Sequence, residues 1–194
     1  DVKIVGIFRS EEEQLFSSLR WLPHVWDDGG KERYLAFGRQ QAHRICEAFL
    51  PLLRERRERE GAPHYIFLLG SREDVQNEEI MQYLAEGEPP FGVSTLFLFD
   101  ELYSLPHGCQ FIIDVDNGPC GFQKDKVNNK FIYTPDEPVT LQSFDSYCRT
   151  MSAIELEGYA AAAELPEGIG FLEGFGVKRV EELNAYERWM KNLP

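Results

Sequence analysis

Apolar residues along the first hundred positions alternate between two rhythms. Val2 to Phe8 is a β-branched apolar run of strand length, and Ser10 with Glu13 three residues on forms a capping-box pattern. The pattern predicts a strand followed by a helix that turns Leu15, Phe16 and Leu19 inward and ends before Pro23. A loop, RWLPHVWDDGG, then leads into a short strand in ERYLAFG. From Arg39 to Glu60 the apolar residues Ala42, Ile45, Cys46, Phe49, Leu52 and Leu53 recur at helical spacing, with Pro51 expected to kink or break the helix. His64 to Gly70 is a continuous apolar run, the pattern of a strand covered on both faces. Ser71 and Asp74 repeat the capping pattern, predicting a helix to about Glu86 stopped by Gly87. Val93 to Phe99 and Cys109 to Val115 read as two more such strands, joined by a turn in ELYSLPHG.

From Asp116 the rhythm changes. NGPCGF and NNKFIYTPDEP are turn-rich and predict antiparallel strands, with Asn117-Gly118 as a hairpin signal, so the sheet is expected to gain an antiparallel edge. SFDSYCRTMSAIELEGYAAAA reads as helix, ELPEGIG as a break, and VKRVEELNAYERWMKN as a final amphipathic helix. Strands alternating with amphipathic helices call for an α/β chain in three layers, a mostly parallel sheet between helices. The expected division is 1–165 for this domain and 166–194 for a connector and terminal helix.

Composition narrows the functions. With 43% hydrophobic residues in 194, the chain is long enough to bury a core. A formal charge of -13 repels phosphate backbones, which argues against nucleic acid as a partner. The one arginine-rich run, Arg54 to Glu60, alternates with glutamates and reads as a solvated helix surface with internal ion pairs. Cys46, Cys109, Cys120 and Cys148 show no CxxC, so neither a zinc knuckle nor a dense disulfide framework is signalled, and a reducing, cytosolic setting fits. No run of eighteen apolar residues is present, so no membrane insertion by this segment is expected. A start at Asp1 that enters a strand at once suggests a piece of something larger.

An α/β sheet invites a nucleotide, yet the chain lacks GxxxxGK[ST], whose amides and lysine cradle phosphates, and lacks a GxGxxG turn after a strand. TLFLFDE, Thr95 to Glu101, resembles a strand that delivers Asp-Glu to magnesium. Asp100 and Glu101 are therefore the candidates for nucleotide binding, against the plainer reading of a strand exit and helix cap. Cys109 near His107, and Ser71 after Gly70, lack any nucleophile signature; a thiol or metal hydrolase built on His24 or Cys109 has no motif behind it. Ser71 reads as a helix cap and Cys109 as a buried strand thiol. His24 with Asp27 and Asp28 could form a metal corner, but none of the four histidines has ligand spacing, so no metal is expected. Trp21 and Trp26 flank a proline and are suited to anchoring this loop to the sheet or to another domain.

RWLPHVWDD, followed by RYLAFGRQQAHRICEAFLPLLRER, APHYIFLLG, GVSTLFLFDELYSLP and the tail LPEGIGFLEGFGVKRVEEL, resembles one family over nearly the whole chain. It is the membrane-anchored FtsK/SpoIIIE-type ATPase of type VII secretion in its EssC form, and the similar part lies between the transmembrane helices and the first ATPase module. The resemblance implies a RecA-like, degenerate P-loop NTPase-like fold in the cytoplasmic part of a bacterial plasma-membrane protein that exports WXG100-type proteins and toxins. It implies as partners the adjacent ATPase module of the same chain, other secretion-system membrane components and, through the parent protein, its substrates. Because the phosphate cradle is missing, no catalytic residue carries over. The expectation is a non-catalytic coupling or regulatory domain without a cofactor of its own, the alternative being a Mg-ATP-binding or weakly active domain of the same motor. Trp21, His24, Trp26 and Trp189 are the expected interdomain contacts.

Overall fold

The computed structural model describes residues 2–58, 61–86, 89–115, 120–123, 131–134 and 136–154. Strand β1 (Val2–Phe8) pairs in parallel with β2 (Leu35–Phe37) and with β3 (His64–Leu69), and β3 pairs in parallel with β4 (Val93–Phe97). The order is β2-β1-β3-β4. Side chains alternate across a strand, so this sheet presents two apolar faces. Val5, Ile7, Phe67 and Leu69 pack with Ala42, Cys46, Phe49 and Leu53 of helix α2 (Arg39–Arg56), and with Val75, Ile80 and Leu84. On the opposite face Phe8, Ile4, Leu35, Phe37 and Leu68 pack with Leu19, Leu22, Val25 and with Phe144, Cys148 and Met151 of helix α5 (Leu141–Ser152). The chain is an α/β sandwich with a parallel sheet between two layers, as the alternating pattern predicts.

Several local expectations shift. The segment after β1 is a 3-10 turn (Ser10–Glu12), a single helical turn α1 (Glu13–Phe16) and a second 3-10 stretch (Ser17–Trp21) rather than one helix. The capping residue is Arg9, one earlier than Ser10, and Glu12 accepts its backbone N–H at 3.1 Å. Leu19 is buried and the Phe16 ring stacks on Phe8 at 4.0 Å, whereas Leu15 is exposed. Pro51 does not break α2: an interior proline costs about 3 kcal/mol, but burial of Phe49 and Leu53 on either side contributes about 1.5–3 kcal/mol each. Arg56 departs from the solvated reading of its run; it is buried and donates to the carbonyls of Gly61 and Pro63. The helix after Ser71 is split into α3 (Arg72–Val75) and α4 (Met81–Leu84). Val75 and Ile80 both face the core, and a separation of five cannot share one face of a continuous helix.

Cys109 to Val115 is not a doubly covered strand. Its β5 (Phe111–Asp114) pairs antiparallel with β6 (Cys120–Gln123), which pairs with β7 (Phe131–Ile132). These form a three-stranded ladder of their own, and among the described residues it is not hydrogen-bonded to the parallel sheet. Phe111 and Ile113 are exposed. The predicted Asn117-Gly118 turn lies outside the described residues, bracketed by the Asp114–Cys120 pair. The chain divides into units Asp1–Leu156 and Glu157–Pro194. The expected boundary at 165, the final helix and Trp189 all lie outside the described residues.

His43 on α2 sits 3.0 Å from Glu78 and 3.5 Å from Glu47, and the Glu78 hydrogen bond, with both carboxylates, holds its imidazolium pKa above the ordinary value. Its contribution is therefore fully present below the unfolded pKa and is lost as pH rises through the folded one. The stability gap between wild type and His43→Gln, read from denaturant midpoints, is expected to be larger at about pH 5.5 than at about pH 8. An equal gap at both would show that these carboxylates do not act on His43.

Candidate functional site

In an open parallel sheet, ligands collect outside the carboxyl ends of the strands where the chain reverses its direction of winding. With order β2-β1-β3-β4 that point lies between β1 and β3. A crevice of about 910 Å³ is found there, lined by the exits of all four strands: Arg9 and Ser10 after β1, Gly38 after β2, Gly70 and Ser71 after β3, and Phe99 to Glu101 after β4.

Three of the crevice's charges, Arg9, Glu12 and Asp100, are committed to one another. Asp100 accepts from Arg9 Nη1 at 3.0 Å, and Arg9 Nη2 donates to Glu12 at 2.8 Å. Glu12 first, and Asp100 after it, hold the guanidinium pKa well above its ordinary value, so Arg9 is a permanent cation. Asp100 is thus the partner of an arginine rather than a helix cap. Glu101 occupies the capping position of the 3-10 turn Leu102–Ser104 without a capping hydrogen bond. It hydrogen-bonds the Tyr103 phenol instead, raising that group's pKa. Ser71 does cap, accepting the Asp74 N–H at 3.3 Å. Arg72 reaches Ser104 at 3.3 Å.

The glycines are spent on packing. Gly38, at φ 85, lets the exit of β2 close on Ser10, whose hydroxyl fills the space a Cβ would need. Gly70 admits the Phe8 ring, which a Cβ would meet at 2.8 Å. Neither opens a nest of amides. Three arginines face six carboxylates among the lining residues, a balance that disfavours a triphosphate.

The tryptophan loop is a packing knot. Val25 and Leu22 are buried, and the Lys3 ammonium, 1% exposed, donates to the Trp26 carbonyl at 2.8 Å and pairs with Asp28 at 3.1 Å. Asp27 Oδ1 accepts the Lys31 and Glu32 amides at 2.6 and 2.9 Å, the latter leading the causes that depress its pKa. Burial, then the Lys3 charge, lowers the His24 pKa from its ordinary value. A metal corner of His24, Asp27 and Asp28 is not formed: Lys3 supplies the cation, and no metal-holding cluster exists among the described residues. Trp21 lies under Arg149 at 4.4 Å, and Ser18 donates to Asp145 at 2.8 Å, so α5 closes over this loop. Trp26 lies under Arg33 at 4.3 Å. Burial pushes the Cys46 thiol up to about 12 and raises that of Cys148, which leaves both unreactive. Cys109 is half-buried.

No family model matches the chain. The type VII secretion system protein EssC of Staphylococcus aureus (strain NCTC 8325 / PS 47) is 25% identical over 205 residues, covering 99% of this chain. The ESX secretion system protein EccC of Geobacillus thermodenitrificans (strain NG80-2) is 23% identical over 199 residues and covers 98%. Over nearly its whole length the chain is similar to EssC-type secretion-system proteins. It spans only 14% and 13% of the length of those two relatives. Among its described residues no helix is long and apolar enough to cross a membrane.

In this chain the sequence reading misses Arg9 and Lys3, the two cations that pair with Asp100 and hold the tryptophan loop. Arg9 carries a usable signal, since a cation directly after a β1 strand opens on the crevice. Lys3 looks like an ordinary polar interruption of an apolar run, and nothing in the sequence marks its partners.

Proposed function

We propose that the chain is a catalytically silent cytosolic domain of a type VII secretion motor, coupling or restraining the adjacent ATPase module during export of WXG100-type proteins and toxins. One observation carries this reading. At the sheet edge where a motor would hold its nucleotide, Arg9 occupies Asp100 and Glu12, and Ser10 is closed against Gly38. Hydrolysis needs backbone amides and a lysine on the phosphates and a carboxylate available to magnesium. Here the phosphate cradle is missing from the sequence and the carboxylate is paired. The likeness to EssC and EccC supports a place within a secretion machine, and the part-buried Trp21, His24 and Trp26, with Trp189, remain the proposed contacts toward neighbouring modules.

Calorimetric titration of the full chain with Mg-ATP is expected to give no saturable heat up to about 1 mM. Asp100→Asn in the full-length parent is expected to leave ATP turnover within about twofold of wild type. Saturable micromolar binding that disappears with Asp100→Asn would overturn the proposal in favour of a nucleotide-binding domain.

A further inference from the structure

The segment after β4 lines one side of the crevice through Phe99, Asp100, Glu101, Tyr103 and Ser104. At its near end the Leu98 N–H donates to the Leu69 carbonyl at 2.9 Å, and Phe99 packs on the core. At its far end Gly108 sits so close to the Ala85 carbonyl that no Cβ would fit, which seats it against the end of α4. Between these roots Leu102 and Tyr103 are exposed, and the 3-10 turn is bonded within itself, Ser104 N–H to the Glu101 carbonyl. Among the described residues two side-chain hydrogen bonds reach from this stretch back to the body: Arg9 to Asp100 at 3.0 Å and Arg72 to Ser104 at 3.3 Å.

We propose that residues 100–105 form a lid over the crevice, held shut by the two arginines at the exits of β1 and β3, with Arg9 as its electrostatic latch. The latch has a strong and a weak side. Arg9 keeps Glu12 through two bonds, one from its guanidinium and one from its own N–H, and that carboxylate is 21% exposed. Asp100 is 73% exposed and held by one. A single solvent-reached ion pair is readily screened by salt, so Asp100 leaves first while Arg9 stays with Glu12. Opening then frees the 3-10 turn between its two roots without disturbing β3 or α2. The device stands whether or not a nucleotide ever enters the crevice, since it depends only on these tethers.

Hydrogen-exchange mass spectrometry on the full chain tests it. The amides of residues 100–105 are expected to exchange at least about fivefold faster in Arg9→Ala than in wild type at about 0.05 M salt. Raising salt to about 0.5 M should speed them in wild type and leave the variant unchanged. Asp100→Asn, which removes the latch without exposing an unpaired guanidinium, is expected to match Arg9→Ala, with residues 67–69 protected throughout. If Arg9→Ala loosens the whole chain, Asp100→Asn alone decides. Unchanged exchange over 100–105 in Asp100→Asn, at both salt concentrations, overturns the lid.

Discussion

Phe67→Ala is expected to destabilise the domain by about 3–5 kcal/mol, the range for removing a buried aromatic ring. Phe67 lies on β3 between Val5 and Thr95 of the neighbouring strands and is 0% exposed. Its ring meets Phe49 of α2 edge-on at 5.4 Å, so truncation opens a cavity at the joint between sheet and helix. At roughly 2–4 °C per kcal/mol for a chain of this size, the melting temperature should fall by about 6–20 °C. Leu96→Ala, on the adjacent strand but 46% exposed, is expected to cost less than about 1 kcal/mol. Thermal melts of the two variants check the contrast; equal losses would mean that the two faces of β4 and β3 are not covered as described.

The second large effect is expected at Lys3. Lys3→Ala removes a charged donor from the Trp26 carbonyl in a buried setting and should cost about 2–3 kcal/mol, with a shift in tryptophan fluorescence as the loop loosens. Asp28→Asn should cost less than about 1 kcal/mol, because that carboxylate is 85% exposed and water replaces the pair. Denaturant unfolding of both variants separates the two contacts. A larger loss in Asp28→Asn than in Lys3→Ala would assign the anchoring to the ion pair instead of the carbonyl.

The strands are the most legible elements because burial writes itself into the chain as apolar runs: Val2 to Phe8 and His64 to Gly70 become β1 and β3 almost residue for residue. Helix α2 is equally plain from its spacing, and only its tolerance of Pro51 depends on what Phe49 and Leu53 touch. The segments after β1 and β3 read as long helices and fold as short, broken ones. Capping chemistry announces that a helix starts, whereas its length depends on which side chains must reach the core, as with Val75 and Ile80. The run at 109–115 misleads for the related reason that an apolar stretch does not say which sheet it joins.

The candidate site divides in the same way. Local sequence is enough to place Ser71 as a cap and to bring Asp100 and Glu101 to a strand exit, because each depends on neighbours a few residues away. The acidic balance of the chain likewise disfavours phosphate partners through net charge alone. Only the tertiary structure decided that Arg9 meets Asp100, ninety-one positions on, and that Lys3 reaches the Trp26 carbonyl of the tryptophan loop. A hydrogen bond between distant residues leaves no periodicity in either partner, so it becomes visible only when the sheet brings β1 and the exit of β4 to one edge.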